Sequence, residues 1–318
     1  MADLMARRSL GSTGLTTTAL GLGTAALAVP YGAPQGERPA VTGADARATI
    51  EHAIERGVRF IDTAPAYGDA EALVGAAVAG SDCIVATKIA IPAAGWNALD
   101  DSATRDHVRA SAEASLRALR RDVLDVLTLH NAEPALIERD AVIAALVELR
   151  AEGMISAAGA SVYGEHAALR AVACEELEVV QIAINALDRS LEARVLPAAA
   201  ANGTALVARS ALLRGVLTPA GARMAGPFEP LRAAADAFRT AAGASWDELP
   251  GAAVAFLAHR PALDCVLLGP RDAVELDELL DGAARFAQAT AALDDDWSAG
   301  VPRELLDPRR WPALEGVA

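Results

Sequence analysis

Lysine is almost absent from this chain of 318 residues: Lys88 is the only lysine among 28 basic residues. Acidic residues number 42, which gives a net charge of −14. A surface of this sign argues against nucleic acid and against an anionic membrane as partners. No apolar run reaches the roughly 18 uninterrupted residues that a membrane-spanning helix needs. The composition therefore predicts a protein with no nucleic-acid and no membrane partner.

Cysteine is also scarce. Cys83, Cys174 and Cys265 lie in apolar stretches and lack the short spacings of a metal site. This usage predicts reduced core residues in a cytoplasmic protein, without a bound metal.

The N-terminus permits two interpretations. Arg7-Arg8, followed by the mostly apolar residues 15–29, has the order of a twin-arginine export signal. Gly11, Gly14 and a run of three threonines interrupt that pattern. The alternative, which we favour, is a hairpin over residues 8–18 that leads into a first barrel strand.

From residue 19 onward, short β-branched runs alternate with segments of helical periodicity. The predicted strands cover residues 19–24, 58–61, 83–88, 125–130, 156–160, 178–182, 204–208 and 264–268, and the predicted helices cover 42–57, 69–78, 104–119, 139–151, a segment from 165, 191–201, 247–258 and 272–284. Eight strands alternating with eight helices predict an α/β fold, a (β/α)₈ TIM barrel with an N-terminal β-hairpin and a C-terminal extension. We expect residues 1–318 to form one domain.

A doubly wound sheet that binds a dinucleotide is the competing fold. It would show Gly-x-Gly-x-x-Gly between its first strand and a helix. The corresponding stretch, Gly21 to Ala26, has alanine in the third place, and we expect it to run into a Pro/Gly-rich loop instead of a helix. The barrel is therefore favoured.

Four polar side chains follow three successive predicted strands. Asp62 and Tyr67 follow the second strand, Lys88 ends the third and His130 ends the fourth. Because the carboxyl ends of barrel strands share one rim, we expect the four to meet there. A phenol exchanges protons near neutral pH only if a cation stabilises its phenolate. Lys88 can supply that charge.

These residues resemble the aldo-keto reductase family. The matching motifs are Asp62-Thr-Ala-Pro-Ala-Tyr67-Gly68-Asp-Ala-Glu71, Lys88, Asp125-Val-Leu-Thr-Leu-His130 and Gly269-Pro-Arg271. The resemblance implies an NADPH-dependent oxidoreductase, less often one that uses NADH, with the cofactor extended across the barrel mouth. It makes Tyr67 the general acid of carbonyl reduction, assisted by Lys88, Asp62 and His130.

The resemblance also implies a cofactor site. Ser161 and Gln181 match positions that hold the nicotinamide carboxamide, and the remaining matches are Gly23 and Thr24 in the first-strand motif, Ser210, Leu212 and Gly215 in a pyrophosphate loop, and Gly269 and Arg271 near the adenine. Arg271 could pair with a 2′-phosphate, which favours NADP over NAD. Three positions depart from the family pattern: Val162 and Leu279 replace asparagines, and Arg209 replaces an aromatic residue that stacks on the nicotinamide.

The substrate site is the least determined by the sequence. Tyr31, Trp96, Asn131 and Trp311 lie in loops that could line a pocket for a small carbonyl or alcohol substrate. Two alternatives remain open: an NAD-dependent dehydrogenase that oxidises a sugar-like alcohol, and a regulatory barrel that binds cofactor without turnover. The substrate, the physiological direction and the oligomeric state are not determined.

Overall fold

The computed structural model describes residues 4–29, 41 and 43–311. Near the N-terminus, β1 (Arg8–Ser9) pairs antiparallel with β2 (Thr16–Thr17). Eight parallel strands then close into a barrel. In chain order they are β3 (Leu20–Gly23), β4 (Phe60–Asp62), β5 (Ile84–Lys88), β6 (Leu124–Leu129), β7 (Ile155–Val162), β8 (Val179–Ala183), β9 (Ala205–Arg209) and β10 (Cys265–Leu268). The predicted (β/α)₈ barrel and its N-terminal hairpin are confirmed.

Helices surround the barrel. They are α1 (Ala25–Ala28), α2 (Gly43–Glu55), α3 (Ala70–Ala77), α4 (Asp101–Leu119), α5 (Pro134–Ile137), α6 (Asp140–Ala151), α7 (Gly164–Val172), α8 (Val195–Asn202), α9 (Glu229–Ala241), α10 (Leu249–Ala258), α11 (Ala273–Ala291) and α12 (Arg303–Leu306). Within the described ranges, none of these helices combines the length and apolar character needed to cross a membrane.

Helix α1 corrects one expectation. We expected a loop directly after β3, but the residues there form a short helix. Alanine and leucine, the residues of α1, are the strongest helix formers. The helix ends after one turn, and β3 pairs with β4 and β10 as a barrel strand. The choice of a barrel therefore stands, although one of its arguments was wrong.

Strand β7 is longer than the sequence predicted. The predicted strand covered residues 156–160, whereas eight residues are extended. Gly159 explains the composition: a Cβ at this position would lie 2.1 Å from the carbonyl oxygen of Val179 on β8. Small side chains on β7 thus let the neighbouring backbone approach closely.

Alternate residues of each barrel strand point into the barrel. The lower inward layers are apolar and include Phe60, Ile84, Ala86, Val126, Ala157, Val179, Ala205, Val207, Cys265 and Leu267. The hairpin covers the amino-terminal end, where Leu10 is fully buried against these side chains. At the tip of the hairpin, Gly11 donates a hydrogen bond to Asp264. The upper inward layer, at the carboxyl end, is therefore where polar side chains can gather.

A C-terminal extension follows α11. It contains α12 and a 3-10 helix over Pro308–Arg310, and the last residue that the structure describes in it is the buried Trp311. The indole of Trp311 donates to the carbonyl of Leu305 at 2.9 Å and lies edge-on to Phe228, with 5.5 Å between ring centroids. We had considered Trp311 as a pocket residue, and these contacts show that it anchors the extension.

Candidate active site

A buried ion pair lies at the centre of the upper layer. The ammonium of Lys88, at the end of β5, donates to both carboxylate oxygens of Asp62 at 2.7 and 2.8 Å. It also donates to the carbonyl of Thr63 at 2.9 Å. Lys88 is 1% exposed and Asp62 is 5% exposed. The sole lysine of the chain is thus a desolvated charge whose three donors all have partners.

Burial lowers the pKa of Lys88 below its ordinary value, and the adjacent Asp62 carboxylate opposes that shift. Arg209 adds to the lowering as a second positive charge. A lysine can undergo this change, whereas a guanidinium stays protonated in any protein environment. The arrangement therefore gives the site an ammonium from which a proton can be removed more readily than usual.

Two residues that we assigned to the cofactor also contact Asp62. Thr24 donates from its backbone nitrogen and from its hydroxyl to the carbonyl of Asp62, both at 3.0 Å. Gln181, in β8, donates from Nε2 to Oδ1 of Asp62 at 2.6 Å. Sequence reasoning missed both contacts because they join residues that are distant in the chain. Thr24 thus holds the backbone of Asp62, and Gln181 holds the carboxylate that binds Lys88.

Tyr67 lies in the turn after β4, close to the ion pair. Its ring is half-buried, and the Lys88 ammonium is 5.3 Å from the ring centroid. The ring also lies edge-on to His130, with centroids 6.1 Å apart and planes at 89°. The structure thus brings together the four side chains that the sequence predicted to meet. Their catalytic roles stay a prediction.

His130 directly follows β6 and is half-buried. Burial lowers its pKa to about 4, and the positive charge of Lys88 contributes to the same shift. The imidazole is therefore neutral at pH 7. A neutral imidazole can donate one hydrogen bond to a substrate oxygen without bringing a second positive charge.

On the opposite side of the mouth, Arg209 ends β9. Its Nε donates to the hydroxyl of Ser161 at 3.2 Å, and its Nη2 donates to the carbonyl of Val162 at 2.8 Å. Its guanidinium carbon lies 3.9 Å from the centroid of the Tyr163 ring. Arg309, from the C-terminal extension, lies 3.8 Å from the same centroid. Because two groups at this distance cannot share one face, Tyr163 is stacked between the two arginines.

Sequence reasoning missed Tyr163. One signal was available, since the chain has only three tyrosines. Val162 occupies the position where the family often has asparagine. Its side chain is buried between barrel and helices, and its carbonyl accepts from Arg209.

Ser161 and Gln181 are inward neighbours on β7 and β8, paired in register. Oε1 of Gln181 is buried and has no hydrogen-bond partner among the described residues. The hydroxyl of Ser161 accepts from Arg209 and keeps its own proton to donate. One free acceptor beside one free donor matches a primary carboxamide. The residues present therefore fit the nicotinamide group that the sequence predicted.

The loop after β9 has an unusual backbone. Ser210, Leu213 and Arg214 have φ values of 63°, 44° and 47°, a region that side chains other than glycine seldom adopt. Gly215 follows with a φ of 98°. Such strain is often found at ligand-binding loops, and successive amides in these conformations form concave anion sites. This loop contains the predicted pyrophosphate residues, including Leu212, which is half-buried.

The predicted adenine end lies at the start of α11. Gly269 is exposed, with open space where a Cβ would be. Arg271 forms an ion pair with Glu275, which also accepts from the Arg271 backbone nitrogen at 3.0 Å. Asp272 caps the helix by accepting from the Glu275 nitrogen at 2.8 Å. A 2′-phosphate on Arg271 must therefore compete with Glu275.

The predicted substrate residues are only partly placed. Tyr31 lies outside the described residues. Trp96 lies edge-on to His107 of α4, with centroids 5.4 Å apart, and its carbonyl accepts from Arg139. Asn131 is exposed with a φ of 51°, a conformation that asparagine tolerates better than most residues. These contacts account for Trp96 and Asn131 as loop residues, and a role in substrate binding stays a prediction.

Comparison with known proteins gives a consistent result. A model described as the aldo/keto reductase family matches residues 19–291. The aldo-keto reductase YhdN of Bacillus subtilis is 33% identical over 221 residues, 66% of this chain and 63% of that relative. The match thus spans less than two thirds of that relative's length. The NADH-specific methylglyoxal reductase of Escherichia coli is 30% identical over 247 residues, 69% of this chain and 73% of that relative.

Solved structures share the fold. An aldo-keto reductase from Bacillus halodurans in its holo form aligns with a TM-score of 0.72 at 22% identity, over 92% of this chain and 99% of that one. The apo form of an aldo-keto reductase from the same organism aligns with a TM-score of 0.67 at 21% identity, again over 92% and 99% of the two chains. At this level of identity the likeness concerns the barrel and its topology.

Proposed function

The chain belongs to the aldo/keto reductase family, and from this premise we propose that it is an NADPH-dependent oxidoreductase that interconverts an aldehyde or ketone and an alcohol. The observation that carries the proposal is the buried Lys88–Asp62 pair beside Tyr67 and His130. A small-molecule carbonyl is the substrate class, and a sugar-like compound is included in it.

In this proposal Tyr67 passes the proton. A bound nicotinamide would supply hydride to the carbonyl carbon, and the carbonyl oxygen would then need a proton from the protein. Tyr67 donates it, and the nearby Lys88 ammonium stabilises the phenolate that forms. Asp62 holds that ammonium in place at 2.7 Å. The neutral imidazole of His130 donates a hydrogen bond to the same oxygen and orients it.

The opposite half of the mouth would hold the cofactor. Ser161 would donate to the carboxamide oxygen, and Oε1 of Gln181 would accept from the carboxamide nitrogen. The strained loop that contains Ser210, Leu212 and Gly215 would bind the pyrophosphate through its backbone, with Gly23 leaving room at the end of β3. Gly269 and Arg271 would contact the adenosine end.

NADH is the second candidate cofactor, and a specific contact favours it. Arg271 is already paired with Glu275, so a 2′-phosphate gains less there than at an unpaired arginine. The relative from Escherichia coli is named as NADH-specific. An NAD-dependent oxidation of a sugar-like alcohol would use the same proton-transfer residues in reverse.

Oxidation of NADPH, followed at 340 nm with a panel of aldehydes and ketones, tests the proposal directly. We expect turnover with at least one member of the panel, and slower turnover when NADH replaces NADPH. NAD with a panel of sugars and alcohols tests the oxidative direction. A purified, folded protein that binds both cofactors and turns over neither panel would contradict the proposal and would favour a regulatory barrel.

A further inference from the structure

Building on the proposed function, we infer that Arg209 is a cationic stacking surface for the nicotinamide and that it makes the site bind the reduced cofactor more tightly than the oxidised one. The residue occupies the position where a resembling protein would place an aromatic ring. An arginine there keeps a planar surface and adds a permanent charge.

The contacts of Arg209 fix the plane of its guanidinium. One edge is held by the Ser161 hydroxyl and the Val162 carbonyl. One face is covered by the Tyr163 ring at 3.9 Å, and that ring is backed by Arg309. Arg209 is half-buried, and we assign the opposite face of its guanidinium to the ligand. Because Ser161 is the residue that would bind the carboxamide, the nicotinamide ring would lie within contact distance of this face.

The charge of Arg209 lacks an acidic partner within the part of the chain that the structure describes, since none of its carboxylates lies within 4.0 Å of the guanidinium. The buried acids of the site are engaged elsewhere: Asp62 with Lys88, and Glu71 with the hydroxyl of Thr87 at 2.7 Å. The second cation on Tyr163, Arg309, is paired with Asp307 at 2.7 Å. Of the three cations Lys88, Arg209 and Arg309, Arg209 is therefore the one whose charge would act directly on a bound ligand.

Oxidised and reduced nicotinamide differ by one positive charge on the ring. The oxidised ring is a cation and is repelled by a guanidinium stacked on it. The reduced ring is neutral, and its π face attracts the same cation. At contact distance and partial burial, the repulsion is screened little by salt. Arg209 thus raises the Kd of the oxidised form relative to that of the reduced form, so the oxidised cofactor leaves more readily after carbonyl reduction.

The test measures the Kd of NADPH, NADP⁺, NADH and NAD⁺ by titration calorimetry, without carbonyl substrate, in the wild type and in Arg209→Gln and Arg209→Tyr. We expect the ratio of oxidised to reduced Kd to fall by about tenfold in both variants, because a unit charge near the ring is removed. Arg209→Tyr restores an aromatic surface, so its Kd for the reduced form should stay closer to that of the wild type. The contribution of the 2′-phosphate to binding cancels in each ratio, because the oxidised and reduced forms of one cofactor carry the same 2′ group.

Arg310→Gln is the matched control. Arg310 is exposed, adjoins Arg309 in the same extension and also faces Asp307, so its removal changes the net charge equally without touching the stack. Its ratio should equal that of the wild type. Ratios that stay within twofold of wild type in both Arg209 variants, or that rise, overturn the inference and leave the proposed function intact. A folded wild type that binds none of the four cofactors overturns both.

Discussion

The two halves of the barrel mouth differ in how their charges and polar groups are compensated. In the half formed by β4 to β6, the charges of Asp62 and Lys88 neutralise each other within 2.7 Å, and burial keeps His130 neutral. In the half formed by β7 to β10, and among the residues that the structure describes, the buried Oε1 of Gln181 has no hydrogen-bond partner and Arg209 donates to neutral groups. The first half resembles its family at each key position, and the second departs at Val162 and Arg209.

The difference follows from what each half must do. A buried ion pair is tolerated only when both charges are compensated, so the half to which we assign proton transfer has to be complete within the protein. A ligand site needs donors and acceptors whose partners arrive with the ligand. The Oε1 acceptor of Gln181 and the positive charge of Arg209 are groups whose partners we expect to arrive with the ligand. Variants on the two sides should therefore change different quantities.

The largest effect is expected from Lys88→Met. The change leaves the Asp62 carboxylate buried without its partner, which should lower the free energy of unfolding by about 3–5 kcal/mol. Carbonyl reduction should fall by at least about a thousandfold, since the phenolate loses its cation. Lys88→Arg is the paired variant: it keeps the charge, yet a guanidinium cannot match the buried ammonium, and we expect about a hundredfold loss. Denaturant unfolding and steady-state rates measure both. Wild-type rates in Lys88→Arg would mean that charge alone suffices.

Protonation of His130 should appear in the pH dependence of stability. Its pKa is lowered from 6.5 to about 4 in the folded state. As the pH falls through that window, the unfolded chain binds a proton here that the folded chain does not, so the free energy of unfolding decreases. His130→Gln should flatten this decrease in urea titrations at pH 4.5 to 7.5. Exposed His166, changed to Gln, should keep the wild-type slope. An unchanged slope in His130→Gln would show that His130 is protonated alike in both states.

Ser161→Ala addresses the other half. Loss of one hydrogen bond to the carboxamide should raise the Kd of NADPH by about three- to tenfold. The proton-transfer half is untouched, so the rate at saturating cofactor should change less than the Kd. Fluorescence titration and single-turnover rates separate the two quantities, with the exposed Ser102→Ala as control. A rate loss that exceeds the Kd change would place Ser161 on the proton-transfer side.

The smallest effect is expected from Glu275→Gln. Removing the carboxylate that pairs with Arg271 should improve NADPH binding relative to NADH by about two- to fivefold, in keeping with a half-exposed ion pair. Arg271→Gln should shift the preference the other way. Glu278→Gln, an exposed site on the same helix, is the control variant and should leave the ratio of the two Kd values unchanged. If neither variant moves the ratio of the two Kd values, Arg271 does not read the 2′-phosphate.

The sequence could predict which polar side chains share one rim of the barrel, because each of them lies at the carboxyl end of a strand. Inward-facing and outward-facing positions alternate along each strand. The apolar residues that face the barrel interior therefore show whether the polar residue at the strand end also faces the interior. Asp62, Lys88, Ser161, Gln181 and Arg209 all have the inward parity of the apolar layer below them. Placing them at one rim thus needed only the strand count and period two.

Contacts between distant segments could not be predicted. Arg309 reaches Tyr163 across the mouth, and no local pattern joins the two. The Asp62 contact of Gln181 is of the same kind. In contrast, the Arg271–Glu275 pair has the i,i+4 spacing of a helix and could have been predicted from the sequence. So could α9, whose Leu231, Ala234 and Phe238 recur at helical spacing.

The role of Tyr67 as proton donor is tested by Tyr67→Phe. Wild type and variant are each saturated with NADPH and mixed with an aldehyde that the wild type reduces, and a single turnover is followed at 340 nm together with the Kd of NADPH. We expect an unchanged Kd and a reduction rate at least about a hundredfold lower in the variant, because only the proton donor is lost. A variant that reduces the aldehyde at the wild-type rate would contradict it.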